Sequence, residues 1–199
     1  GYAVLDRTAM PMIGDPETTY DTFVSQLVAD AEAAVAKAVE IGVADPERIG
    51  VIGHSHGGLM VANLLAHTDL FRAGIARSGS YNKTTQPFGF QSERRSLFEA
   101  RDVYIRVSPT FFADQVNEPV LIIHGDADSN PGTLTFQSEV FFEAVRGSGG
   151  TARLVLLPFE DHGYRARESI EHVLHEQIRW FDEYVKNARP RTLPPTDPP

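Results

Sequence analysis

Apolar residues follow two rhythms along this chain. Between Asp21 and Ile41, Phe23, Leu27, Ala31, Ala34, Val35 and Ala38 recur at three- and four-residue spacing, which lines them along one side of a helix. Gly42 and the Asp45-Pro46 pair close that helix. Elsewhere the apolar residues form short unbroken runs, at Tyr2–Leu5, Ile49–Gly53, Ala73–Ala76, Pro119–His124 and Arg153–Leu157, and runs of this length predict strands. Pro119–His124 (PVLIIH) is apolar throughout, as a strand covered on both faces should be. The helical rhythm returns over Gly57–His67, Thr135–Arg146 and the amphipathic stretch Glu168–Lys186, and Gly147–Gly150 reads as a loop. Residues 80–118 are irregular, with a short helix expected near Ser96–Asp102. Strands alternating with helices predict an α/β fold, a mostly parallel sheet with helices on both faces.

Ligands on such sheets bind beyond the carboxyl ends of the strands. Three chemically loaded loops fall there. One holds Ser55, one reads His124-Gly125-Asp126-Ala127-Asp128, and one reads Glu160-Asp161-His162-Gly163. The first loop can be read in two ways. His54 and His56 have the spacing of metal ligands, and Gly-His-Ser-His resembles the closing motif of calcineurin-like metallophosphoesterases. The order of motifs is wrong for that family, however, and Gly57-Gly58-Leu59 stands where a metallo-β-lactamase would place its remaining ligands.

The other reading explains more residues. Gly53-His54-Ser55-His56-Gly57 is a Gly-x-Ser-x-Gly at an abrupt strand-to-helix turn, which would lift the serine Oγ above the sheet. Gly53 and Gly57 are expected to relieve crowding at the turn, with Gly58 doing the same one residue on. The backbone N–H of His56 would be left to face an oxyanion, with the dipole of the following helix behind it. A serine hydroxyl needs a base to take its proton, and that base needs an acid to orient it. The order Ser55, Asp128, His162 is the one that α/β-hydrolases use. Asp126 competes for the acid role, but its earlier position favours binding to loop amides. Glu160 and Asp161 are expected to shape the His162 loop. His124 and His54 read as structural, and the His56 side chain as a site-lining candidate. His67, His172 and His175 read as helix-surface or packing residues. Arg77, Arg94 and Arg95 read as solvated or paired, and Arg77, Tyr81 and Tyr164 are the candidates for substrate contacts.

Bulk properties narrow the field. A chain of 199 residues can form one domain with a real core. Its net charge of −9, with no basic stripe, argues against nucleic acid as a partner. No apolar run approaches the ~20 residues of a membrane span. With no cysteine, a thiol nucleophile and a cysteine zinc site are excluded. The triad requires no metal or other cofactor. The stretch Ala188–Pro199, rich in proline, is expected to be a disordered tail after a catalytic unit spanning residues 1–187.

The stretches "GHSHGGLMVANLLAHTDLFRAGIARSGSYNKTTQPFGFQ", "PVLIIHGDADSNPGTLTFQSE" and "LVLLPFEDHGYRARESIEHVL" resemble the catalytic domain of the prolyl oligopeptidase family of serine peptidases, and most of all its glutamyl endopeptidase branch. The resemblance implies an α/β-hydrolase fold, a peptide substrate, Ser55 as nucleophile, Asp128 as acid and His162 as base. It also implies a preference for glutamate on the acyl side of the cleaved bond. One departure is His56, where the family usually has an aromatic residue, often Tyr. The chain opens at Gly1 inside an apolar run that matches the fourth strand of the fold. The expectation is therefore that the first three strands and an N-terminal β-propeller belong to a missing upstream portion. The second oxyanion donor would lie there too, and losing one donor costs roughly 3–4 kcal/mol of transition-state stabilisation. Two rivals remain: an esterase using the same triad, and a fragment that only binds or associates.

Overall fold

The computed structural model describes residues 1–6 and 8–189. Most of the proline-rich stretch, from residue 190 onward, lies outside the described residues. Four strands form one parallel sheet in the order β1 (Gly50–His54), β2 (Ala73–Arg77), β3 (Val120–Gly125), β4 (Ala152–Leu157). Spatial order follows chain order, so the sheet grows in one direction and its crossovers lie on the same side. On that face α2 (His56–His67) packs against β1 and β2, with α1 (Phe23–Glu40) packed on α2. A short helix, α3 (Arg101–Arg106), sits in the long excursion between β2 and β3. On the same face α4 (Phe136–Gly147) packs against β3 and β4. The closing helix α5 (Arg167–Phe181) crosses to the other face, against β2 and β3.

Strand β3 shows how the letters become a core. All six of its residues are buried. Val120 and Ile122 join Leu59, Leu64 and Phe141 on the α2/α4 face. Leu121 and Ile123 join Ile75, Val173 and Trp180 beneath α5. Because strand side chains alternate, a run with no polar member is stable only where both faces are covered. Each such side chain contributes roughly 1.5–3 kcal/mol on burial. Strand β4, half exposed, forms one edge of the sheet, and β1 forms the other.

Several expectations shift. Tyr2–Leu5 is not a strand: it pairs with nothing in the sheet, and Val4 and Leu5 are 81% and 65% exposed. Its anchor is Tyr2, whose hydroxyl donates to Asp182 Oδ1 at 2.7 Å and whose ring leans on Phe181. A strand needs a neighbouring edge at the correct spacing, and apolar letters alone do not supply one. In the excursion after β2, helix appears as the turn Lys83–Thr85, α3 and the turn Pro109–Gln115, a few residues beyond the expected Ser96–Asp102. The last helix does not run regularly to Lys186 but loosens into a π turn over Asp182–Lys186.

Candidate active site

Ser55 stands between the end of β1 and the start of α2. Its φ of 59° and ψ of −119° are unfavourable for a residue with a Cβ. The turn is held by Ser55 N donating to the Arg77 carbonyl at 2.8 Å and by the Gly58 and Leu59 amides donating to the Ser55 carbonyl. Among the described backbone hydrogen bonds, the amides of His56 and Gly57 donate to no carbonyl. Gly53 is required here, because a Cβ would sit 2.2 Å from the Gly57 carbonyl oxygen. At Gly58 a Cβ would sit 2.9 Å from the Arg77 carbonyl oxygen. The expectation for Gly57 fails, since a Cβ there meets nothing within 4 Å. It lies in the first turn of α2, beyond the free edge strand β1, where no backbone comes close.

The other two side chains come from loops locked to each other. After β3, the Asp126 amide donates to the Leu157 carbonyl and the Ala127 amide to the Glu160 carbonyl, each at 3.0 Å. Asp126 Oδ1 accepts from the Phe159 amide at 2.6 Å, so this carboxylate is committed to the loop. Asp161 Oδ1 accepts from the amides of Ser129 and His162, both at 2.8 Å. The Glu160 carboxylate accepts from the Arg165 and Ala166 amides. These bonds hold the Glu160 and Asp161 carboxyls below the usual carboxylate range.

The loops bring three distant residues into line. His162 Nε2 lies 2.8 Å from Ser55 Oγ, and His162 Nδ1 lies 2.9 Å from Asp128 Oδ2. The Asp128 side chain is fully buried, while the His162 ring is about a quarter exposed. A carboxylate only accepts, so Nδ1 carries the hydrogen and Nε2 is left to accept from the serine. Thr133 Oγ1 lies 3.0 Å from His162 Nδ1 and 3.2 Å from Asp128 Oδ2. The Asn130 amide donates to Asp128 Oδ1 at 2.9 Å.

His124, expected to be structural, has a more specific place. Its Nε2 lies 2.9 Å from the same Asp128 Oδ2 that meets His162, and its Nδ1 lies 2.6 Å from Ser138 Oγ on α4. Burial lowers the His124 pKa even beside the carboxylate. A neutral ring with Nε2–H donating to Asp128 and Nδ1 accepting from Ser138 fits both side-chain contacts. The buried carboxylate thus meets two imidazoles. The clue in the sequence was the spacing: His124 ends a strand buried on both faces, four residues before Asp128.

The remaining candidates scatter. The His54 ring packs 5.0 Å from the His162 ring and edge-on to Tyr164 at 5.8 Å. Burial first, then nearby Arg77, lowers the His54 pKa to about 4, so it is a neutral wall. The His56 ring leans on Phe23 at 5.7 Å and does not converge with His54 on a common point. Arg77 ends β2 beside His54 in the register, and its Nε is buried without a hydrogen-bond partner. Tyr164 pairs its hydroxyl with Ser78 Oγ at 2.9 Å and with the Ile123 carbonyl, beneath the site rather than over it. Tyr81 is corrected outright: it is fully buried and stacked on Phe141, out of reach of a substrate. Arg95 is paired with Glu93 and Asp21, and Arg94 is exposed.

Comparison with known proteins agrees with this architecture. Residues 20–188 match the prolyl oligopeptidase family model. The chain is 52% identical over 194 residues to a rice (Oryza sativa subsp. japonica) protein named "Probable glutamyl endopeptidase, chloroplastic", with 96% of this chain and 21% of the relative aligned. An Arabidopsis thaliana protein of the same name is 55% identical over 185 residues, covering 92% of this chain and 19% of the relative. The chain therefore spans about a fifth of the length of these relatives. The acylaminoacyl peptidase of Pyrococcus horikoshii superposes with a TM-score of 0.70 at 27% identity, over 82% of this chain and 28% of that one. With a parallel α/β-hydrolase sheet, a strained serine turn and a family match over most of its length, this chain belongs to the prolyl oligopeptidase family.

Proposed function

We propose that this chain carries the catalytic triad of a serine peptidase that hydrolyses peptide bonds after glutamate. The observation that carries the reading is the unbroken line from Ser55 Oγ through both nitrogens of His162 to buried Asp128, at 2.8 and 2.9 Å. His162 Nε2 takes the Ser55 proton as Oγ attacks the peptide carbonyl carbon. The carbonyl oxygen becomes an oxyanion and faces the His56 amide at the start of α2, where the helix dipole favours negative charge. As the intermediate collapses, His162 passes the proton to the leaving amine, and an acyl-enzyme remains on Ser55. Water, deprotonated by the same imidazole, then releases the acid. Asp128 stays ionised, orients the ring and stabilises the imidazolium. His124, Thr133 and the Asn130 amide keep that carboxylate in place. Cleavage after glutamate is supported by the names of the two plant relatives at more than half identity.

Peptide substrate reaches the site in an assembly that extends past β1. Ile52 on that strand is 45% exposed, its outer edge is unpaired among the described residues, and a Cβ on Gly57 would meet nothing within 4 Å. An open strand edge is a seat for another strand, which fits an upstream portion of a parent chain.

Labelling with a fluorophosphonate tests the assignment. Wild type should label at pH 7.5 and Ser55→Ala should not. Faster turnover of a glutamyl peptide than of p-nitrophenyl acetate supports a peptidase, and the reverse favours an esterase. Absence of any Ser55-dependent labelling would leave only a binding role.

A further inference from the structure

Lys83 is 3% exposed, and among the described residues no carboxylate pairs with it. Its ammonium makes one long hydrogen bond, to Gln86 Oε1 at 3.3 Å, and lies 5.1 Å from the centre of the Phe90 ring. Glu93, buried in the same excursion, is taken up by Arg95 through both carboxylate oxygens. An ammonium removed from water without a counter-charge is costly, and a carboxylate brought beside it offsets that cost.

The position is also built. The Lys83 amide donates to Ser108 Oγ at 2.7 Å, and Ser108 donates to the Tyr104 carbonyl. Gln137 on α4 clamps the preceding turn by accepting from the amides of Tyr81 and Asn82 at 3.0 and 2.8 Å. The lysine is therefore fixed in place and does not sweep through solvent.

Its hydrogen-bond partner ties it to the triad loops. Gln86 Nε2 lies against Gly132, close enough that a Cβ there would sit at 2.7 Å. The His56 ring, which adjoins Ser55 and whose Nδ1 is buried without a partner, has its pKa lowered first by burial and then by the Lys83 charge. Gly132 adjoins Thr133, which touches both Asp128 and His162. Ser80 Oγ reaches the same Gln86 at 3.4 Å. Lys83 and Ser80 thus meet on Gln86, which adjoins the residue before the Thr133 contact, and among the described residues no carboxylate is paired with the lysine. Arg77, the other cation near the triad, is on the opposite face of the sheet, beside His54 and Tyr164.

We propose that Lys83, with Gln86 and Ser80, forms the subsite that receives the side-chain carboxylate of the residue on the acyl side of the cleaved bond. This rests on the peptidase reading above and assigns its acid preference to one residue. The carboxylate supplies the missing counter-charge, and a neutral amide of the same shape does not.

The test uses the full chain in the Ser55→Ala background, which binds peptide without cleaving it. Two fluorescent peptides differ only in glutamate or glutamine at the relevant position, and binding is read by anisotropy. The glutamyl peptide should bind roughly tenfold tighter or more, as charge-assisted bonds exceed neutral ones. Lys83→Met should bring the ratio to within twofold while leaving the glutamine peptide unaffected, and Lys83→Arg should restore part of it. Methionine has a similar length and removes a buried charge, so folding should survive, and Lys83→Gln serves as a second neutral variant. Equal binding of both peptides by the parent protein overturns the proposal, as does a ratio that survives both neutral variants or collapses instead in Arg77→Met. Fluorophosphonate labelling of the Ser55 protein reads the peptidase assignment separately. Labelling together with equal binding rejects Lys83 alone; tight glutamyl binding without labelling keeps the subsite and rejects the peptidase.

Discussion

Gly125 ends β3 at the point where the two loops carrying Asp128 and His162 cross. Adding one methyl group there, in Gly125→Ala, should disable the proposed triad without touching any of its members. The new Cβ would lie 2.3 Å from the Glu160 carbonyl oxygen and 2.5 Å from that of Asp161. Relief to an ordinary contact of 3.4 Å or more requires the loops to part by roughly 1 Å. Both obstacles are backbone, so no side chain can swing aside. The bonds from Asp126 to Leu157 and from Ala127 to Glu160, now 3.0 Å, must stretch with them. The His162–Asp128 contact of 2.9 Å spans the same gap and passes out of hydrogen-bond range. Misplacement on this scale costs about 10²-fold in rate. Overpacking costs roughly 1–3 kcal/mol of stability, or a melting temperature lower by about 3–10 °C. The assay is the second-order rate of fluorophosphonate labelling at Ser55, alongside a thermal melt followed by circular dichroism. A variant that labels within threefold of wild type and melts at the same temperature would refute the claim that Gly125 sets the loop spacing.

Two further outcomes follow from the same geometry. Gly53→Ala should destabilise by about 1–3 kcal/mol, because its Cβ meets the Gly57 backbone at 2.2 Å, while Gly57→Ala should be neutral or stabilise by up to ~1 kcal/mol; denaturant melts of both variants decide this, and similar losses in the two would contradict it. The glutamyl preference should depend on pH. Burial depresses the Lys83 pKa from its ordinary value to about 8, so the ammonium is charged below that pH and is lost as pH rises through it. Of the groups facing Lys83, His56 is held near 4 and Glu93 is held low by Arg95, so neither titrates in that window. The kcat/KM for a glutamyl substrate should therefore fall above pH ~8 with a limb that is missing for a glutaminyl substrate, and identical profiles for the two would count against the assignment.

The sequence by itself determined the elements that depend on local rhythm and the order of the loops. The continuous apolar letters of Val120–Ile123 required cover on both faces, and the helical spacing from Phe23 required a packed side; both hold because burial periodicity is written residue by residue. It also placed Ser55, Asp128 and His162 after three of the strands, β1, β3 and β4, whose parallel direction brings them to one rim. What needs a neighbour from elsewhere in the chain was decided only by the tertiary structure. Tyr2–Leu5 has strand-like letters, but strand formation takes a partner edge, and none adjoins it among the described residues. Gly57 looked crowded by its motif and is open, because crowding depends on what lies across the gap. Tyr81 looked available and is sealed against Phe141, whereas His124 was found on the Asp128 carboxylate. Lys83 gave no signal at all. A lysine in an irregular stretch is solvated by default, and only the fold shows this one enclosed, held at its backbone and unpaired with any carboxylate among the described residues. Periodicity reports which side of an element is apolar; the distance between side chains far apart in the chain is set by packing, and the chemistry of this site lies in those distances.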